Sequence, residues 1–127
     1  MIQSLLCIGA GSCMGGIARY LLSQAIDSRF SGHFLPLGTL AVNVLGCFAI
    51  GLIGAAFGRM GCSSDGWRLF LTVGFCGGFT TFSTFVNESH SMLSAGQFAA
   101  SAAYAAASLA LGLMALYAAH SLVRHML

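Results

Sequence analysis

Apolar stretches free of charge alternate with short polar clusters along this chain, and they set out its organisation. A helix needs about 20 largely apolar residues to cross the hydrocarbon core of a bilayer. The first such stretch covers about 2–26 with only Arg19 inside, and the second covers about 38–58 with no charge. The third covers about 67–94 with Glu88 near its end, and the fourth about 98–120. These patterns predict an all-α membrane protein of four transmembrane helices in a single domain spanning 1–127. The links are short: 27–37 with Pro36, 59–66 with Gly61 and Asp65, and a tight turn at Ala95, Gly96 and Gln97. Short links favour antiparallel neighbours, and four crossings place both termini on one side.

Composition sharpens this reading. The 127 residues include five Arg, no Lys, two Asp and one Glu, and 57% are hydrophobic. A soluble domain carries charge on about 25% of its residues, which would be roughly 32 groups here. This chain therefore lacks a well-solvated surface and belongs in a lipid bilayer, as a multi-pass protein of the inner or plasma membrane. Without Lys there is no Walker A loop and no lysine nucleophile, and a net charge of +2 excludes a basic nucleic-acid face. Cys7, Cys13, Cys47, Cys62 and Cys76 form no CxxC pair and no zinc spacing, so neither a disulfide framework nor a metal cluster is expected. The N-terminus lacks the basic region of a secretory signal and reads as a retained helix.

Basic residues in the loops ordinarily set orientation. Arg59, Arg68 and Arg124 fall on the side of the termini and Arg29 on the other, while Arg19 lies within a helix. So narrow a margin permits insertion both ways round, and with it an antiparallel homodimer.

The few polar groups inside the spans carry the candidate chemistry. Asn43 sits mid-helix, either as interhelical hydrogen-bonding glue or as a polar group lining a permeation path. Arg19 either snorkels to the interface or faces inward as an anion attractor. Gly11 with Gly15, Gly54 with Gly58, and Gly74 with Gly78 are each four apart, a spacing that lets helices approach closely.

The segment GFCGGFTTFSTF at 74–85 is the most informative. Adjacent Gly77 and Gly78 weaken the third helix, and Thr80, Thr81, Ser83 and Thr84 offer hydroxyls for the freed backbone, so a break is expected near 77–81. Broken helices at membrane depth occur where backbone lines a cavity or binds an ion. Phe75, Phe79, Phe82 and Phe85 surround the break, either as packing or as a source of electropositive ring edges for a weakly held anion. Ser101, Tyr104, Ser108 and Gly112 share one face of the fourth helix, and their small or hydroxyl side chains suit either helix approach or the same path.

With GGIARY around Arg19, PLGTLAVNVLG containing Asn43, and GFCGGFTTFSTF followed by Glu88, in that order, the whole chain closely resembles the small fluoride channels of the Fluc/CrcB family. The resemblance implies a dual-topology, antiparallel homodimer with two fluoride pores and a central structural sodium ion. It implies that sodium is held by the backbone carbonyls of Gly77 and Thr80 from both subunits, which suits a hard cation. It assigns Phe82 and Phe85 to ring edges facing fluoride, and Asn43 to a pore-lining amide. Arg19 becomes the vestibule residue, and Tyr104 and Ser108 a polar track, with hydroxyls of Thr81 and Ser83 beside them. Gly112 departs from that track, where relatives can have a hydroxyl residue. Glu88 is expected as an accessory residue, or else as one partner in a helix-end ion pair.

The function expected is passive fluoride export: HF enters an acid-exposed cell, ionises, and leaves as F⁻ down its gradient. A proton-coupled transporter of the small multidrug-resistance type is the nearest alternative, but it needs a carboxylate in the first helix, where this chain has Arg19. A non-transport assembly subunit is the other. His33, His90, His120 and His125 are dispersed, and no nucleophile, base and orienting acid come together, so no enzyme is expected.

Overall fold

Four helical spans long and apolar enough to cross a membrane make up the computed structural model, which describes residues 1–61 and 65–126. Helix α1 is Ile2–Arg29 and α2 is Leu37–Met60. The third span is assembled from α3 (Asp65–Leu69), a π-helical stretch (Phe70–Cys76), α4 (Gly77–Phe79) and α5 (Phe82–Ser94). Helix α6 is Phe98–Met126. The described residues contain no strand, and Cys62 in the second link lies outside them.

The helices overrun the charge-free windows because their end charges act as caps rather than stops. Asp27, in the last turn of α1, accepts the backbone N–H of Gly38 at 2.8 Å. It thereby satisfies one of the free N–H groups opening α2 and sets a negative charge at that helix's positive end. Arg59, near the end of α2, donates Nη1 to the carbonyls of Val123 and Arg124 at 3.4 and 3.1 Å, so a cation meets the carbonyl-rich end of α6. Gly61, with φ 57° and ψ 22°, stops α2 in a left-handed cap. Gly96, with φ 75°, closes α5, where Gln97 N–H bonds to the Met92 carbonyl at 2.8 Å and Gly96 N–H to that of Leu93 at 3.0 Å. This is a Schellman turn into α6.

Helix α1 packs along the first half of the third span, α2 packs along α6, and α5 leans on α6 and touches α2. The first seam is backbone against backbone. A Cβ on Gly11 would collide with Phe70 O and Gly74 Cα, one on Gly15 with the backbone of Phe75 and Phe79, and one on Gly78 with that of Ser12. Gly54 and Gly58 differ from the expectation of close helix packing: nothing lies within 4 Å of their Cβ positions. Gly46 and Gly51 take that role on α2, against Thr80 and against Leu116 and Ala119. Only 11 to 17% of each span's apolar window is buried within the chain, which leaves most of its surface for lipid or another subunit.

A branched side chain at the first seam should cost about 1–3 kcal/mol by overpacking. Thermal unfolding in detergent should therefore show Gly15→Val destabilised, while Gly9→Val, where the space is open, stays within about 0.5 kcal/mol of the parent.

Candidate functional site

The third span is interrupted at Thr80 and Thr81, two residues beyond the adjacent glycines, which are themselves helical. Thr80 has φ −85° and ψ 156°, and Thr81 φ −146° and ψ 115°, both extended. Threonine hydroxyls that bond back to a carbonyl four residues earlier compete with the helical ladder and bend it. Thr72 does so to Arg68 O at 2.7 Å and Thr80 to Cys76 O at 3.0 Å, bracketing the π-helical stretch. Thr81 then restarts the helix as N-cap: its hydroxyl accepts from Thr84 N–H at 3.3 Å and donates to the Thr84 hydroxyl at 2.9 Å.

Asn43 holds the break from the neighbouring helix. Its Oδ1 accepts Thr81 N–H at 2.7 Å, and its Nδ2 donates to Thr81 O at 3.0 Å. One side-chain amide thus replaces the backbone acceptor that the interruption takes from the Thr81 N–H and adds a donor to the Thr81 carbonyl, and the pairing fixes which end of the amide is nitrogen. The same pairing diverts from the Gly77 carbonyl its usual helical donor, the N–H four residues on. Because Nδ2 carries two N–H groups, a second remains beyond the one given to Thr81.

That residue lines an open-sided cavity of about 430 Å³ between α2, the third span and α6. Phe82, Phe85, Thr81 and Ser108 share its wall with Asn43, as do Gly77 and Thr80. The Phe82 and Phe85 ring centres are 5.9 Å apart with planes inclined at 37°, and Phe82 is 78% exposed, so its ring projects from the chain. The Ser108 hydroxyl oxygen is buried with no hydrogen-bond partner. Asn43, with an N–H beyond the one given to Thr81, and the hydroxyl residue Ser108 therefore share one cavity wall with a pair of aromatic rings. Such a set accepts a small anion and offers it no formal charge.

Behind this wall Glu88 accepts from Thr39 Oγ1 and from Tyr104 OH, both at 2.7 Å. Thr39 and Tyr104 are buried, and the Tyr104 ring lies 5.0 Å from that of Phe85. Glu88 thus ties α2, α5 and α6 together through hydroxyls instead of a helix-end ion pair. Tyr104 stands behind Phe85 rather than in the cavity wall, and Ser83 is exposed on α5 outside that wall. Arg19 lies apart from the cavity on α1, its Nε buried with no hydrogen-bond partner. Thr39 as a Glu88 partner and Cys47, Thr72 and Cys76 in the cavity wall are further members of the site; the signal in the sequence for two of them is the four-residue step from Thr39 to Asn43 to Cys47.

Comparison with known proteins agrees across nearly the whole chain. Residues 6–120 match the family described as CrcB-like protein, Camphor Resistance (CrcB). A protein of Phocaeicola vulgatus is 43% identical over 113 residues, 89% of this chain and 92% of its own. One of Chlorobaculum tepidum is 43% identical over 117 residues, covering 92% and 91%, and one of Phenylobacterium zucineum 43% over 125 residues, covering 97% of each. Each of the three relatives is named a fluoride-specific ion channel, FluC.

Removing the Asn43 amide should leave the Thr81 N–H without its partner and take one of two donors from the Thr81 carbonyl, a cost of about 1–3 kcal/mol. Asn43→Leu, close in size, is therefore expected to unfold in detergent well below the parent; an unchanged unfolding midpoint would contradict the clamp.

Proposed function

The chain belongs to the CrcB family, and on that premise we propose that it is a fluoride-selective channel of the bacterial plasma membrane, passing F⁻ passively out of the cell. The observation that carries this reading is the uncharged cavity wall on which Asn43 and Ser108 stand together with the rings of Phe82 and Phe85. Fluoride is small and a strong hydrogen-bond acceptor, so hydroxyl, amide and ring-edge donors replace part of its hydration shell. Their partial charges hold it loosely enough to release it. Thr81 lines the path at the break, its hydroxyl proton given to Thr84. Arg19 draws anions toward the vestibule, and Tyr104, held by Glu88, supports Phe85 from behind; Ser83 lies beside the path.

The same reading takes the working unit to be an antiparallel homodimer with two pores. The exposed Phe82 ring and the small buried share of every span support a second subunit that completes the path. A sodium ion fits the break: the Gly77 carbonyl loses its helical donor to Asn43, the Thr80 carbonyl sits in extended backbone, and hard cations take oxygen ligands. Gly77 and Thr80 of both subunits would hold it, and its charge would offset carbonyl dipoles facing one another across the dimer.

Phe82→Ile and Phe85→Ile remove the ring edges while keeping apolar bulk. Each is expected to abolish fluoride efflux from liposomes, read with a fluoride electrode, without loss of the dimer on size exclusion. Full flux in both would overturn the reading. Exchange of sodium for N-methyl-D-glucamine throughout purification should lower the dimeric fraction, and an unchanged fraction would remove sodium from the assembly.

A further inference from the structure

Where α2 and α6 end, on the side of the membrane that holds the termini, they enclose a second cavity of about 490 Å³ to which the fluoride reading gives no part. Gly54, Gly58 and Arg59 line it from α2, and Tyr117, His120 and Arg124 from α6. The helices touch just before it, where a Cβ on Gly51 would stand 2.9 Å from the Ala119 Cβ and from the Leu116 carbonyl oxygen. They are tied again at its far end, where Arg59 Nη1 holds the carbonyls of Val123 and Arg124. Between these two points, among the described residues, nothing lies within 4 Å of a Cβ at Gly54 or Gly58. Both glycines are exposed, so the helices leave a notch open to their surroundings.

Depth and charge together say what this notch receives. Helix α2 has 24 residues, about 36 Å at 1.5 Å per residue, against a hydrocarbon core of about 30 Å. Its last turn, with Arg59, therefore reaches the headgroup layer, while Gly54 stays level with the acyl chains. Trp67 and Tyr117 are exposed at the same end, as aromatic side chains are at membrane interfaces. The wall is cationic through Arg59 and Arg124, His120 adds an imidazole N–H, and no carboxylate among the described residues lines it. The carbonyls that anchor Arg59 are neutral, so they fix the guanidinium without cancelling its charge. Guanidinium groups match phosphate oxygens with paired N–H donors.

We propose that this notch binds an anionic phospholipid, its phosphate held by Arg59, Arg124 and His120 and the start of an acyl chain laid over Gly54 and Gly58. A soluble anion uses the cations alone. A notch that runs from those cations into membrane depth fits a molecule with both an anionic head and an apolar tail. The lipid splints the ends of α2 and α6, and the site is independent of the fluoride path.

Native mass spectrometry of the detergent-purified protein, titrated with phosphatidylglycerol, reads the site directly. The parent should bind it about 25-fold more tightly than zwitterionic phosphatidylcholine, each of the two arginines contributing about fivefold at an anionic headgroup. Arg124→Gln should lose about fivefold. Gly58→Leu, which fills the notch and changes no charge, should lose a comparable amount. Arg29→Gln removes the same charge from an exposed position on the other side of the membrane and should bind as the parent does.

Equal binding of the two lipids by the parent would overturn the proposal, and so would equal losses in Arg29→Gln and Arg124→Gln, which would reduce it to general attraction between cations and acidic lipid. Retention of inorganic phosphate in place of phosphatidylglycerol would assign the cations to a free anion and overturn the lipid. Conversion of the dimer to monomer by Gly58→Leu, read on size exclusion, would place a second copy in the notch and overturn it as well. Arg124→Gln leaves the backbone acceptors of Arg59 intact, so its comparison with Arg29→Gln stands even if Gly58→Leu fails to fold.

Discussion

Backbone amides in hydrocarbon must find partners within the protein, and the cost of failing to do so is several kcal/mol per group. In this chain that constraint comes to a point at Thr81, where the third span is broken and the Asn43 side chain takes up the freed N–H and also donates to the carbonyl. The rest of the site depends on that pairing. It lets the span leave α1, along which its first half lies, and lean on α6 with its second half. It also sets the direction in which α5 restarts, and so where Phe82 and Phe85 stand. Gly46 is part of the arrangement, since only a residue without a side chain lets α2 pass the Thr80 methyl.

The chain uses few charges, and three of them have a local task. Asp27 and Arg59 cap helix ends, and Glu88 gathers Thr39 and Tyr104 from two other helices. A carboxylate that accepts two hydroxyl bonds is a rigid joint, and it lies behind Phe85 through the Tyr104 ring. The cavity itself is lined by no formal charge. An anion there meets only partial charges, which suits a path that must release what it binds.

Much of this was legible in the sequence, for reasons that can be stated. Hydrocarbon excludes charge, so charge-free windows mark the spans, and a mid-span Asn or a Gly-Gly followed by hydroxyls stands out against an apolar background. What was not legible depends on distance along the chain. Asn43 and Thr81 are 38 residues apart and Thr39 and Glu88 are 49 apart, so neither pairing leaves a local pattern. The helices run past the charge-free windows because Asp27 and Arg59 look like boundaries until their capping partners are known. The break falls after Gly77 and Gly78 because the threonine hydroxyls, more than glycine flexibility, disrupt the ladder. Gly54 and Gly58 share the spacing of Gly11 and Gly15, but among the described residues nothing lies within 4 Å of their Cβ positions; spacing alone does not say which surfaces find a neighbour.

A path built from neutral donors and ring edges should separate anions by size and hydrogen-bonding strength, not by charge. The most direct test of this account is anion efflux from liposomes containing only the purified protein, with fluoride and chloride gradients measured side by side. Rapid fluoride efflux with chloride at the level of protein-free liposomes is the expected result. Comparable rates for the two ions, or no fluoride flux from a folded protein, would contradict it.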